Sequence, residues 1–270
     1  MQGRVDMTQV FASNERFALV GVVHLLPLPG SPRARHFAEV RDRALRDAEA
    51  YARGGIDALL VENFGDVPFR KNAVEPHVVA AMTLVVDAIQ RATGLPVGVN
   101  VLRNDARAAL AIAAMTGAGF IRVNVHVGAM LTDQGIVEGR ADETLRYRTM
   151  LGATVQIWAD VLVKHAVPLA PVPLEEVARD TVERGLADAL IVTGPATGRP
   201  PDPAELARLG QVLPGVPVLV GSGVTAENVR RFVSLASGAI VGTWAKVDGL
   251  VHNPVDEHRV RALVDIVRGL

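Results

Sequence analysis

Two acidic residues stand directly after apolar runs, and either could serve as a general acid or base. Glu62 follows Ala58–Val61, and Asp160 follows Thr154–Ala159. A carboxyl group in a partly dry cleft can exchange protons near neutral pH. A carboxylate held by a neighbouring cation, for example Arg122, gives the same pattern. The two acidic residues therefore predict either acid–base catalysis or structural ion pairs, and the sequence is compatible with both.

Two histidines occupy comparable positions, His24 after the first apolar run and His126 after the fourth. Imidazole groups transfer protons near pH 7 and also bind metals. With Glu62 and Asp160 they could form a divalent metal site, although no His-x-x-x-His spacing supports one. A hydrogen-bonded structural histidine is the plainer alternative. We predict His24 and His126 as catalytic residues, with no resident cofactor and a divalent metal as the alternative.

Further polar residues at or just beyond the ends of such runs could bind a substrate. They are Asn63, Asn100, Arg103, Asn124, Lys164 and Thr193. Lys164 has the amine that a Schiff-base mechanism needs, but it lies in the segment beyond Asp160 rather than in the run itself. A loop lysine lacks the desolvated setting of such chemistry, which favours a binding or ion-pair role.

Two glycine-containing turns near the carboxyl end could bind phosphate. Gly221-Ser222-Gly223 and Gly242-Thr243 each follow an apolar run, and Lys246 could add a positive charge. Glycines let backbone N–H groups approach an anion, and a following helix adds a favourable dipole. The alternative is that the glycines only make tight turns, since Gly-x-Gly alone is a weak signal. We predict these six residues as a phosphate site.

Eight short apolar runs alternate with amphipathic helices and would bring these residues together. The predicted strands are Phe17–Val23, Ala58–Val61, Pro96–Val101, Phe120–Val125, Thr154–Ala159, Ala189–Val192, Val216–Val220 and Ala239–Val241. The predicted helices are Ala38–Arg53, Val78–Thr93, Ala106–Thr116, Asp142–Leu151, Leu174–Arg184, Pro203–Val212, Ala226–Leu235 and Asp256–Val267. Continuous apolar runs are typical of parallel strands covered on both faces. The pattern predicts a single (β/α)₈ TIM barrel over residues 1–270, with residues 1–15 as an extension.

Loop lengths predict which face of the barrel carries the site. The connections from helix to strand are short, whereas those after the first, second and fourth strands are long. In a barrel the long loops gather at the carboxyl ends of the strands, where such folds place their active sites. Residues 128–135 have glycines near both ends and could form either a mobile lid or a static loop of the rim.

Composition limits the partners. Hydrophobic residues make up 49% of the chain and charged residues 21%, the formal net charge is -1, and there is no cysteine. A near-neutral chain has no long-range field for a nucleic-acid polymer, and no apolar run approaches the roughly 20 residues that span a bilayer. Met1–Glu15 lacks the pattern of a signal peptide. We expect a cytoplasmic protein that binds a small phosphorylated metabolite, and a homo-oligomer is compatible with this architecture.

Several segments resemble a known family in combination. They are Gly21–Gly30, Val61–Phe69, Gly98–Asp105, Arg122–His126, Thr132–Gly135, Asp160–Ala166 and Gly221–Thr225. They are similar to the BtpA/SgcQ family along nearly the whole chain. The resemblance implies a barrel of the ribulose-phosphate-binding type. It implies two kinds of function, since one group of members is linked to photosystem I biogenesis and another is labelled a nucleosidase or a protein of sugar metabolism.

Three functions follow as hypotheses. The first is an enzyme, of isomerase, lyase or nucleosidase and glycosyl-transfer type, that acts on a phosphorylated sugar, nucleoside or nucleotide. The second is a non-catalytic assembly factor of the photosystem I type. The third is a metal-dependent hydrolase that uses His24, Glu62, His126 and Asp160.

Overall fold

A closed barrel of parallel strands forms the body of the protein. The structure, a computed structural model, describes residues 16–163, 165–194 and 199–270. Its barrel strands are β1 (Ala18–His24), β2 (Ala58–Glu62), β3 (Val97–Asn100), β4 (Phe120–Val123), β7 (Gln156–Val161), β9 (Ala189–Val192), β10 (Val218–Val220) and β11 (Gly238–Val241). Their order around the barrel is β1-β2-β3-β4-β7-β9-β10-β11, and β11 closes on β1. The predicted TIM barrel is confirmed, and no strand end differs from its predicted position by more than two residues.

Alternate residues along the strands fill the interior of the barrel. Val20, Leu60, Phe120 and Trp158 belong to one buried cluster, and the rings of Phe120 and Trp158 stack with centroids 3.7 Å apart. The large Phe120 ring fits because Gly98 lies beside it, where an added Cβ would come within 2.1 Å of the ring. A packed interior of this kind fixes which residue of each strand is the next to reach the mouth.

The helices cover the outside of the barrel. They are α1 (Phe37–Arg53), α2 (Pro76–Thr93), α3 (Ala106–Thr116), α4 (Ala141–Met150), α5 (Leu174–Arg179), α6 (Pro203–Val212) and α7 (Glu257–Arg268). Their buried sides pack against the strands in one large apolar cluster. A π-helical turn, Asp180–Arg184, extends α5, so the predicted helix Leu174–Arg184 is present with a change of hydrogen bonding.

The predicted helix Ala226–Leu235 is wrong. Only a 3₁₀ turn, Val229–Arg231, forms in this segment. The Asn228 side chain accepts a hydrogen bond from the Thr225 N–H at 2.9 Å and donates one to the Gly223 carbonyl at 2.8 Å. Local bonds of this kind compete with helical ones and hold the segment as a loop.

A small antiparallel sheet lies beside the mouth, within two of the strand-to-helix connections. A hairpin of β5 (Ala129–Thr132) and β6 (Gly135–Glu138) follows β4, and β5 also pairs with β8 (Val167–Pro168), which follows β7. Met130 and Val137 pack on Val125 and Val163 beneath the sheet. The segment interpreted from sequence as a lid or a rim loop is therefore a hairpin anchored on both sides.

Among the residues that the structure describes, none of the helices is both long enough and apolar enough to cross a membrane.

Candidate functional site

A cavity of about 580 Å³ opens at the carboxyl ends of the barrel strands. This volume suits a small-molecule ligand. Residues from the ends of β1, β2, β4, β10 and β11 line it, together with residues of the loops that follow. The predicted site residues that line it are His24, Glu62, Arg103, Asn124, Gly221, Ser222, Gly223, Gly242 and Thr243.

A buried ionic network forms the floor of the cavity. Arg122 donates from Nε and Nη2 to the two carboxylate oxygens of Asp160, at 3.0 and 2.9 Å. Its Nη1 lies 3.8 Å from Glu62 Oε2, which also accepts a hydrogen bond from Asn100 Nδ2 at 3.1 Å. Burial lowers the pKa of Arg122, but Asp160 and Glu62 outweigh that effect and raise it. Arg122 is therefore a permanent cation, and it links Glu62 and Asp160, the two acidic residues whose catalytic role the sequence predicts.

The two acidic residues differ in access to the cavity. Glu62 lines it, whereas Asp160 lies beneath, with both oxygens bound by Arg122 and a further bond from Asn124 Nδ2 at 2.7 Å. A carboxylate that is fully engaged by a guanidinium and an amide holds those groups in place. The predicted catalytic role of Asp160 is therefore corrected to that of a positioning residue, and Glu62 is the acidic residue of the floor that a ligand can reach.

The segment after β3 brings a second guanidinium to the cavity. Asn63 accepts a hydrogen bond from the Leu102 N–H at 2.7 Å and donates to Asp66, while the Arg103 N–H donates to the Arg70 carbonyl. Burial lowers the pKa of Arg103, and the carboxylates of Asp160, Asp133 and Glu62 oppose that shift. Arg103, which the sequence predicts to bind substrate, lines the cavity.

Asn63, Asn100 and Thr193, predicted to bind substrate, do not line this cavity. Asn63 holds the backbone after β3, and Asn100 supports Glu62. The methyl group of Thr193 packs where a Cβ of Gly221 would lie, at 2.7 Å. The predictions for Asn63 and Asn100 are corrected, because their side chains support the lining instead of forming it. Thr193 lies beside Gly221 and is not among the lining residues. Lys164 lies outside the described residues.

The glycine turns form a cradle of backbone on one side of the cavity, at the ends of β10 and β11. Gly223 has a φ of +71°, and an added Cβ would come within 2.3 Å of the Pro200 nitrogen. A Cβ at Gly242 would come within 2.8 Å of His24 Cε1. The Ser222 hydroxyl accepts from the Gly194 N–H and donates to the Arg199 carbonyl, so it ties two loops together. Thr243 lines the cavity and has a hydroxyl group, so it remains a candidate for phosphate binding.

His24 and His126 have different surroundings. The His24 ring packs against Phe64, with centroids 4.5 Å apart, and lies beside the cradle. His126 is 1% exposed, and its Nε2 lies 2.8 Å from the Gly185 carbonyl oxygen, away from the cavity. Burial lowers the pKa of His126, which favours a neutral ring that donates this bond. The predicted catalytic role of His126 is corrected to a structural one.

Lys246 is not part of the phosphate cradle. Its ammonium group is fully buried and lies 3.2 Å from Asp47 Oδ2 of α1. A 3₁₀ turn over Thr243–Ala245 carries the chain past the mouth, so Lys246 meets the helix on the outside of the barrel. Burial lowers its pKa, and Asp47 opposes the shift. The prediction that Lys246 binds phosphate is therefore wrong.

Sequence reasoning missed several residues of the lining. Arg122 was named only as a possible counterion; it comes two residues after the interior Phe120, so counting by two along β4 would have placed it in the lining. Asp133 and His165 also line the cavity, and each lies in a segment that carried the family resemblance. Phe64, Phe69 and Trp244 provide apolar lining. No periodic signal marks these loop aromatics.

The four residues proposed as a metal site do not converge. His126 points away, and Asp160 is occupied by Arg122 and Asn124. Within residues 16–163, 165–194 and 199–270, no group of three or more histidine and acidic side chains is placed to hold a metal ion.

The fold and the site together define a TIM barrel with an ionic floor and a glycine cradle at the mouth. The chain belongs to the BtpA family, whose sequence model matches residues 15–269.

Similar sequences occur in Synechocystis sp. and in Thermococcus kodakarensis. The chain is 48% identical to the photosystem I biogenesis protein BtpA of Synechocystis sp. over 262 residues, which covers 97% of this chain and 91% of that protein. It is 49% identical to an uncharacterized protein of Thermococcus kodakarensis over 257 residues, covering 95% and 97% of the two chains.

Solved structures show the same fold at low identity. The GGGPS of Thermoplasma volcanium has a TM-score of 0.62 and 15% identity and covers 97% of both chains. The (S)-3-O-geranylgeranylglyceryl phosphate synthase of Thermoplasma acidophilum, solved in complex with its substrate sn-glycerol-1-phosphate, has a TM-score of 0.61 and 15% identity over the full length of both chains.

Proposed function

We propose that this protein is an enzyme that acts on a phosphorylated sugar, nucleoside or nucleotide by acid–base chemistry at the mouth of the barrel. The observation that carries the proposal is the placement of Glu62 and Arg122 on the floor of a ligand-sized cavity that also has a glycine cradle. A ligand held by phosphate at the cradle would place its carbon skeleton over Glu62.

The cradle suits phosphate because it offers backbone. Gly223 and Gly242 have no room for a side chain, so the main chain itself forms the wall, and Thr243 adds a hydroxyl donor. In TIM barrels the loops after the last two strands are the recurrent phosphate site. The structure of similar fold with bound sn-glycerol-1-phosphate supports a phosphorylated ligand for this architecture.

Glu62 is the group proposed to transfer the proton. Asn100 donates a hydrogen bond to its Oε2 and the Arg122 guanidinium lies 3.8 Å from the same atom, which favours one orientation of the carboxyl group at the cavity surface. A general base needs this kind of positioning within reach of the proton that it removes. Arg122 and Arg103 would stabilise negative charge that develops on an oxygen of the substrate. His24 lies beside the cradle and is the second candidate for proton transfer.

The experiment has a binding arm and a turnover arm. Inorganic phosphate and ribose 5-phosphate should raise the melting temperature of the protein, and a structure with ribose 5-phosphate should show its phosphate beside Gly223 and Thr243. A pool of sugar phosphates and nucleotides is then incubated with the protein and followed by mass spectrometry. We expect turnover by the wild type and none by Glu62→Gln, with Glu138→Gln on the hairpin as a matched control.

Phosphate found only at distant surfaces would contradict the cradle. Equal turnover by Glu62→Gln and the wild type would contradict the assignment of the acid–base group.

Assembly of a membrane complex is the second candidate, and the 48% identity to the photosystem I biogenesis protein favours it. It is tested by complementation of a strain that lacks the related protein. Full complementation by folded Glu62→Gln would favour the assembly role, and loss of complementation would favour catalysis.

A further inference from the structure

The cavity has a side opposite the glycine cradle, and different strands build it. In the order of the barrel, β3 and β4 lie across from β10 and β11. The cradle follows β10 and β11, so the far side is formed by residues that end or follow β3 and β4. Those that line the cavity are Leu102, Arg103, Arg122, Asn124 and Asp133.

Asn124 presents a buried acceptor at this side. Its Nδ2 donates to Asp160 Oδ2 at 2.7 Å, which fixes the amide, because the opposite orientation would place two acceptors together. The Oδ1 atom is buried and has no hydrogen-bond partner among the described residues. Asn124 is 4% exposed and lines the cavity. A buried acceptor without a donor is costly, so a donor on the ligand would satisfy it.

Asp133 adds a carboxylate from above. It stands in the turn between β5 and β6, where the Thr132 hydroxyl donates to the Gly135 carbonyl at 2.9 Å and accepts from the Gln134 N–H at 3.2 Å. Packing of Met130 and Val137 on Val125 and Val163 holds the hairpin over the mouth. The sheet thus holds Asp133 at the cavity, and the Asp133 carboxylate interacts electrostatically with the Arg103 guanidinium.

The charges of the described residues at the far side disfavour a second phosphate group there. Arg103 and Arg122 are surrounded by the carboxylates of Glu62, Asp133 and Asp160, one more carboxylate than guanidinium. A phosphate group brought here would meet a surplus of negative charge, and like charges in contact weaken binding strongly. A hydroxyl group would instead find two acceptors.

We propose that Asp133 and Asn124 set the specificity of this end of the cavity, selecting a phosphate monoester whose other end is uncharged and donates hydroxyl hydrogen bonds. A substrate with phosphates at both ends is disfavoured by Asp133. This inference rests on the proposed function, because it takes the cradle as the phosphate site.

The test compares ribose 5-phosphate with ribose 1,5-bisphosphate by calorimetry at one ionic strength. The wild type should bind the monophosphate at least about tenfold more tightly. Asp133→Asn should reduce this preference to within about threefold, since it removes the surplus charge. Asp133→Glu should keep the preference, and so should Glu138→Gln, which removes a carboxylate from the same hairpin without touching the cavity.

A third probe tests the acceptors. Ethyl phosphate has the phosphate but no hydroxyl group, and it should bind at least about tenfold more weakly than ribose 5-phosphate, because sites built for hydroxyl groups reject analogues without them.

The outcomes separate this inference from the proposed function. An unchanged preference in Asp133→Asn overturns the inference, as does equal binding of both sugar phosphates, or of ethyl phosphate and ribose 5-phosphate, by the wild type. Inorganic phosphate serves as the reference probe. If it binds at the cradle while these preferences are absent, only the specificity is wrong; if it does not bind, the cradle and the inference fail together. Urea unfolding of Asp133→Asn should match the wild type, since the residue is exposed.

Discussion

The part of the chain that the structure describes contains two separate buried ionic clusters, one around Arg122 and one around Lys246, and only the first belongs to the cavity. Arg122 and Asp160 form the floor of the mouth, with Glu62 at 3.8 Å from the guanidinium. Lys246, in the segment after β11, pairs with Asp47 of α1, and Asp47 also accepts hydrogen bonds from Arg43 and the Val255 N–H. Both pairs are almost fully shielded from solvent.

The difference shows that a buried charge near a strand end does not by itself mark a functional site. Arg122 lies within a strand and points inward, so a ligand can reach it. Lys246 comes after a 3₁₀ turn that directs it outward. The two cations also differ chemically, because lysine can lose its proton when its partner is removed and arginine cannot. This contrast can be tested.

The largest effect is expected for Asp160→Asn. Removal of the carboxylate leaves the Arg122 guanidinium buried and charged, with Glu62 as its nearest remaining counterion. The free energy of unfolding should fall by about 4 kcal/mol, measured by urea denaturation. Asp142→Asn, which breaks an exposed pair with Arg146, is the control and should change stability little. A loss no larger than that of the control would mean that the pair is not buried as described.

Asp47→Asn should cost less, about 3 kcal/mol at pH 7, because Lys246 can shed its proton. Burial already lowers the pKa of Lys246, and loss of Asp47 lowers it further. The folded variant then binds fewer protons than its unfolded chain, so its stability rises with pH. Urea unfolding at pH 7 and pH 9 should show that the deficit in free energy of unfolding, relative to the wild type, is smaller at the higher pH. A deficit independent of pH would contradict the proposed difference between the two cations.

Phosphate binding should distinguish the glycine cradle from the buried pair of Lys246 and Asp47. Thr243→Val removes one hydroxyl donor from the cavity and should weaken binding of inorganic phosphate about tenfold, since hydrogen bonds to charged groups are among the stronger ones. Lys246→Met should leave the affinity unchanged, because the ammonium group does not line the cavity. Calorimetry on both variants measures this directly. Equal losses in the two would return Lys246 to the phosphate site.

The smallest effect concerns His126. Its pKa is lowered by burial, so the unfolded chain takes up a proton there before the folded protein does. The stability that depends on the neutral ring is complete above about pH 6.5 and is lost as pH falls from there towards the lowered pKa. His126→Gln keeps a donor for the Gly185 carbonyl and removes the titration.

Between pH 7 and pH 5.5 the His126→Gln variant should therefore lose about 1 kcal/mol less stability than the wild type. The same substitution at the exposed His252 should leave the pH dependence as it is. Identical pH profiles for wild type and His126→Gln would show that the ring is not buried in its neutral form.

The sequence was sufficient for the barrel because parallel strands covered on both faces leave continuous apolar runs. Glu62 was found for the same reason, as the residue directly after such a run. His126 was misplaced because β4 ends at Val123 and the chain then turns, so alternation no longer tells where a side chain points. The predicted helix Ala226–Leu235 does not form because the Asn228 side chain makes hydrogen bonds to the backbone of Gly223 and Thr225. Hydrophobic periodicity does not reveal such bonds.

The place of Asp133 in the cavity could not be predicted from the sequence, for a different reason. It is exposed, it lies in a turn, and it meets the cavity only because a hairpin folds back over the mouth. Such a position depends on contacts between loops that are distant in the chain.

The pairing of Leu131 with Val167 joins the connection after β4 to the one after β7. Neither connection can therefore be lengthened, shortened or exchanged alone without disturbing the other. A chimera that takes residues 128–139 from a relative should retain its shape only when residues 165–168 are transplanted with them. The two stretches form one inheritable module, and new ligand preferences in this family are expected to arise by paired changes in both.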